Sequence, residues 1–203
     1  MGNSAGNSAA RATRFALLAT AAIGLSACGV NSIPTKEEAV KASWGDVENQ
    51  YQRRADLIPN LVATVKGYAA QEKDVLESVT KARASASQVT VDPTKLSDPA
   101  QLERFQAAQA QVGSALSRLL VTVEKYPDLK SNQNFLALQS QLEGTENRIA
   151  VARRDYNGSV QAYNTEIRTF PSLIAAKVIY GSQPIASFKA TTANADTAPA
   201  VKF

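Results

Sequence analysis

From Val40 to Ala86 the chain places its apolar side chains at alternating intervals of three and four residues. The seam runs Val40, Trp44, Val47, Tyr51, Arg54, Ile58, Leu61, Val65, Tyr68, Glu72, Val75, Val79, Ala82 and Ala86. A stripe with that period is one face of a long α-helix, and it has to be covered by other helices. Two of its positions are charged, Arg54 and Glu72, and Pro59 falls inside the run. A proline in a helix interior removes one backbone donor and crowds the preceding turn, at a cost of about 3 kcal/mol. The seam keeps its phase on both sides of Pro59, so the spacing predicts a kinked but continuous first helix. The competing arrangement is a break there, with Asp56 capping a second half.

The rest of the chain reads as helices cut to pack against this one. Thr35 and Glu38 have the spacing of a capping box at its start. Residues Gln88–Asp98, with Pro93 and β-branched neighbours, form a loop. Asp98 followed by Pro99 starts a second helix, with a seam from Leu102 and Phe105 through Gln109, Val112, Leu116 and Leu119 to Tyr126. After Pro127, Ser131 or Asn132 caps a third helix, whose seam runs from Phe135 to Phe170. Ser172 opens a short fourth helix that Gly181 closes. The predicted fold is all-α: a long antiparallel helical bundle over residues 35–181, of four-helix-bundle type. Residues 182–203, rich in Ala and Thr, carry no period and are expected to form a disordered tail.

Composition removes most catalytic chemistries. The absence of histidine takes away the commonest metal ligand and the commonest base at neutral pH. The single cysteine, Cys28, excludes intramolecular disulfides and thiolate clusters. Ahead of it, Arg11 and Arg14 precede an apolar run, Phe15–Leu25, that is too short for a permanent membrane span. Leu25-Ser26-Ala27-Cys28 then resembles a bacterial lipobox, in which the peptide is cut before an acylated cysteine. On this reading residues 1–27 are a lipoprotein signal peptide and residues 28–34 a lipidated tether. Several acyl chains, at about 0.8 kcal/mol per buried methylene, hold such a protein firmly to a membrane. Gly29 stands where Asp would resemble an inner-membrane retention signal, so the expected address is the outer membrane, facing the periplasm. Loss of Arg11 and Arg14 lowers the net charge from +4 to +2, too small a surplus to favour nucleic acid.

Three blocks carry a family resemblance: RRADLIPNLVATVKGYA (Arg53–Ala69), NQNFLALQSQLEGTENRIAVARRDYN (Asn132–Asn157) and YNTEIRTFP (Tyr163–Pro171). They resemble the signature blocks of LemA-family proteins, and the terminal PAVKF (Pro199–Phe203) resembles the family's ending. The resemblance implies a long antiparallel helical bundle with an envelope-associated role, and it brings no catalytic residues. Members of that family are typically anchored by an amino-terminal transmembrane helix, which the lipobox replaces here.

Candidate sites are few. Arg54 and Glu72 could line a polar site inside the bundle, or could be register-setting charges neutralised by other helices. Arg153, Arg154 and Asp155 fit a solvated face better than a docking patch. Glu143, Glu146 and Glu166 lack the Glu-x-x-His pairs of a carboxylate-bridged metal site, so neither metal nor cofactor is expected. Two functions follow: a non-catalytic, lipid-anchored scaffold of the cell envelope, or a ligand-binding or enzyme-accessory protein built on Arg54 and Glu72. Helix lengths add one expectation. A continuous first helix of about 75 Å outruns the second, of about 42 Å, so Val40, Trp44, Val47 and Tyr51 would project as an unpartnered stripe. That stripe would serve self-association or docking of another envelope protein.

Overall fold

The computed structural model describes residues 31–189, and Cys28 with the signal segment lies outside them. Four helices build the bundle: α1 (Ser32–Tyr68), α2 (Lys73–Ser87), α3 (Pro99–Val123) and α5 (Gln133–Glu166). One-turn α4 (Pro127–Lys130) bridges α3 to α5, and α6 (Ser172–Ala175) runs into a π-helical turn, Ala176–Tyr180. Among the described residues there is no strand.

The first helix does not continue to Ala86. It ends at Tyr68, and after four residues α2 runs back beside it, bringing Leu76, Val79 and Ala86 into one core cluster with Ile58, Leu61 and Val65. Nothing in the local sequence forbids a longer helix. The reversal occurs because it buries the α2 face, which an extended helix would leave without a partner. The seam slips at the turn, so that Leu76 is buried in preference to Val75 and Ala69 in preference to Tyr68, which is 46% exposed.

Pro59 lies inside α1 without interrupting it. Its missing amide leaves the carbonyl of Ala55, four residues back, without the usual intrahelical donor. Arg83 of α2 supplies the replacement: its Nε donates to Ala55 O at 2.8 Å. The break and the proline are therefore coupled, because only the folded-back α2 brings a donor to that carbonyl.

The caps of α3 and α5 follow the sequence. Asp98 accepts from Ala100 N at 2.9 Å, and Asn132 accepts from Phe135 N at 3.1 Å. The expected capping box does not form. Instead α1 starts one turn earlier, and Thr35 Oγ1 donates to the Asn31 carbonyl at 2.8 Å.

The projecting stripe is also corrected. Helix α5 reaches Glu166 and packs along α1 for its full length, so Val40, Trp44, Val47 and Tyr51 are core, none more than 6% exposed. Trp44 meets Phe105 and Tyr156 edge-on at 5.3 and 5.5 Å and stacks on Phe188 at 5.9 Å. Phe188 belongs to the stretch read as a disordered tail, yet residues 182–189 lie extended on the bundle. Asn164 pairs with both backbone groups of Ile185, and Asn157 with both of Phe188, at 2.8–3.1 Å. Seven helical residues rise about 10.5 Å and three extended residues about 10 Å, so the two clamps are in step.

Two unfolding measurements check this architecture. Phe188→Ala should lower stability by about 3 kcal/mol in denaturant titrations, the cost of emptying a core aromatic site. Arg83→Ala should cost about 1–2 kcal/mol, and appreciably less in a Pro59→Ala background, where the restored amide again serves Ala55.

Candidate functional site

Arg54 is the most deeply buried charge among the described residues, 4% exposed, between the two halves of the core: Tyr51 belongs to one apolar cluster and Ile58 to the other. It is positioned by the α1 seam, three residues after Tyr51 and one heptad after Val47. Its Nη1 donates to Glu146 Oε1 of α5 at 2.7 Å. Its Nη2 donates to Gln109 of α3 twice, to Oε1 at 2.6 Å and to the backbone carbonyl at 3.1 Å. The guanidinium also lies 4.9 Å from the Tyr51 ring centre. A guanidinium carries donors and no acceptor, and here it joins three helices.

Beside it a cleft of about 140 Å³ opens among Glu48, Tyr51, Arg83, Ser87, Phe105 and Gln109. Sites for drug-sized ligands usually run from about 300 Å³ upward. Burial pushes the Glu48 carboxyl above its ordinary value, opposed by the Trp44 indole N–H. That N–H is buried and forms no well-aligned hydrogen bond. Burial likewise raises the Tyr51 hydroxyl, with Arg153 and Arg54 pulling the other way.

Glu72 is not part of this site. It sits in the α1–α2 turn, half-buried, and accepts from Tyr126 Oη at 2.7 Å. The two seam charges therefore serve different parts of the fold, Arg54 its middle and Glu72 the turn, and they do not share one polar site. The three glutamates of the third helix are also dispersed: Glu146 serves Arg54, Glu143 accepts from Gln139, and Glu166 lies at the far end of α5. Arg153 stacks 4.6 Å from the Phe188 ring centre, so it packs the C-terminal segment, while Arg154 and Asp155 are exposed.

Sequence reasoning missed the role of Glu166, whose only signal was an acid on the helix seam between Tyr163 and Phe170. One oxygen accepts from both Ser32 and Ser172 at 2.5 Å, and the other pairs with Lys36 Nζ at 2.7 Å. These partners, Lys36 foremost and then the two hydroxyls, pull the carboxyl down to about 2. It clasps the start of α1, the end of α5 and the start of α6. At the opposite end, an open groove of about 900 Å³ lies between α1 and α2. Val62, Ala70 and Leu76 line its apolar part, and Lys66, Lys73 and Lys81 line its charged part together with Asp74 and Glu77. No described helix is long and apolar enough to cross a membrane.

The LemA family pattern matches residues 43–203. The chain belongs to the LemA family. Similar curated proteins include Magnetosome protein MamQ 1 of Paramagnetospirillum magneticum, 28% identical over 157 residues, with 70% of this chain and 58% of the relative covered. Magnetosome protein MamQ of Magnetospirillum gryphiswaldense is 27% identical over the same span. Protein LemA of Metamycoplasma hominis is 24% identical over 140 residues, covering 69% of this chain and 60% of that protein. The chain thus spans about three fifths of the length of these relatives.

Two tests address the buried groups. Arg54→Ala should cost about 2–3 kcal/mol, less than a fully buried pair would lose, because Glu146 is half-exposed and can regain water. Glu166 is ordinarily half-ionised near 4.5, so its clasp contributes fully above that pH and is lost as the pH falls toward 2. Acid titration of stability should show a loss of about 2 kcal/mol, after allowance for the part-exposed Lys36, that Glu166→Gln lacks.

Proposed function

We propose that this LemA-family chain is a non-catalytic module of the bacterial envelope, tethered by lipid at Cys28 and presenting its bundle to the periplasm from the outer membrane. The observation that carries the reading is Leu25-Ser26-Ala27-Cys28, directly after the apolar run Phe15–Leu25 and four residues before α1 begins. Such a linker holds the bundle against the membrane face. The scaffold role draws support from the use of the buried charge. Arg54 is spent on Glu146 and Gln109, and the groups beside it enclose a space smaller than a substrate-sized pocket. The magnetosome relatives are named for a cellular structure and not for a reaction, which agrees with a structural role.

The alternative, a ligand site shared by Arg54 and Glu72, loses its basis because the two residues are not neighbours. Phase partitioning and mass analysis of the amino terminus test the tether. The wild-type chain should enter the detergent phase carrying diacylglycerol on Cys28. Cys28→Ser should give an uncleaved or soluble species with an unchanged helical spectrum. A Cys28→Ser chain that remained acylated and membrane-bound would overturn the address.

A further inference from the structure

Nine large apolar side chains are exposed among the described residues, and five of them fall within eleven residues: Phe170, Ile174, Val178, Ile179 and Tyr180. Phe170 and Val178 are each 79% exposed. Scattered apolar residues on a surface need no explanation, but a contiguous apolar patch marks something that covers it. The stretch is two-sided. Ser172, Ala175 and Ala176 are buried against the bundle, whereas Phe170, Ile174 and Val178 follow at intervals of four on the outer side. Lys177 within the segment and Arg168, two residues before it, are exposed.

The patch is also fixed in place. Ser172 Oγ and Ser32 Oγ both donate to Glu166 Oε1 at 2.5 Å, so the segment is latched to the first turn of α1. Cys28 is four residues from Ser32, a span of at most about 14 Å even when extended. We propose that Phe170–Tyr180 is a membrane-contact surface. In this arrangement its apolar side chains enter the headgroup region of the bilayer holding the tether, and Arg168 and Lys177 meet anionic headgroups. The inference rests on the tethered reading above. A short tether and an adjacent apolar face are two signals acting at one place, and the pair holds a protein in a set orientation where one alone leaves it free to swing. A second copy of the chain fits the patch less well. Two such faces brought together around a twofold axis place like charges near one another and point both tethers into the contact.

The test uses the full, lipidated chain reconstituted in phosphatidylethanolamine–phosphatidylglycerol vesicles. Acylated Cys28 is blocked, so a single added cysteine carries an environment-sensitive fluorophore, at Val178→Cys or, as control, at Val121→Cys. Val121 is 69% exposed near the opposite end of the bundle, roughly 50 Å away along the helix axis. Circular dichroism confirms that both labelled chains keep the fold. Nitroxide-bearing lipids should quench the Val178 probe several-fold more than the Val121 probe, with blue-shifted emission at Val178 alone. Equal, water-like signals at both positions would overturn the proposal. So would quenching replaced by probe-to-probe transfer between chains, the mark of a second copy on the patch. Fractionation of Cys28→Ser judges the tether separately, so a failed tether and a failed patch give different results.

Discussion

The structure depends on satisfying one buried guanidinium. Removing Arg54 from water is unfavourable by several kcal/mol unless its donors are taken up. The partners that take them up come from two other helices, Glu146 of α5 and Gln109 of α3. Apolar seams alone tolerate a slide of one heptad at modest loss, since leucine-like surfaces are interchangeable. A slide of α3 or α5 against α1 would instead strand a charge between the two apolar clusters. Arg54 thereby sets a register that the hydrophobic pattern leaves loosely specified.

The second constraint concerns where the chain turns. Helix α1 carries a defect of its own making, the carbonyl of Ala55 orphaned by Pro59, and α2 carries the side chain that repairs it. Arg83 can reach Ala55 only if α2 folds back after Tyr68, so one hydrogen bond links a proline to a reversal more than ten residues away. The turn itself is held by side chains: Tyr126 donates to Glu72, and Asn132 donates to Tyr68 Oη at 2.8 Å. Glu72 thus acts where the chain reverses, with no part in neutralising the core.

Much of this was legible in the residues. The all-α class, the Asp98 cap, a cap at Ser131 or Asn132, the closing Gly181 and the burial of Arg54's position all follow from spacing and local chemistry. The reversal at residues 69–72 was not, because no glycine or proline stands at the break and apolar residues continue on both sides of it, with only the slip from Tyr68 to Ala69 and from Val75 to Leu76 to mark the turn. That single misreading lengthened the first helix and made Val40, Trp44, Val47 and Tyr51 look unpartnered. Phe188 was illegible for a different reason. A lone aromatic among Ala, Ser and Thr has no periodic signal, and its place is set by Asn157 and Asn164, which helix reasoning treats as surface positions. The role of Glu166 was hidden because its partners Ser32 and Lys36 are more than a hundred residues away in sequence.

The two ends of the bundle are built for different neighbours. At the α1 start, the Glu166 clasp binds three segments together through an ionised carboxylate, beneath a cluster of exposed apolar side chains. At the far end, the turn uses uncharged hydroxyl and amide donors, and the adjoining groove between α1 and α2 carries charges of both signs, three lysines with Asp74 and Glu77. Helix α1 runs unbroken between them for 37 residues, about 55 Å at 1.5 Å per residue. A continuous helix is stiff over that length, and the pairing of α1 with α5 along its whole course stiffens it further. Whatever is fixed at the Ser32 end therefore determines the position of the groove at the Tyr68 end. The Arg83 bond that carries α1 past Pro59 keeps that relation from becoming a hinge.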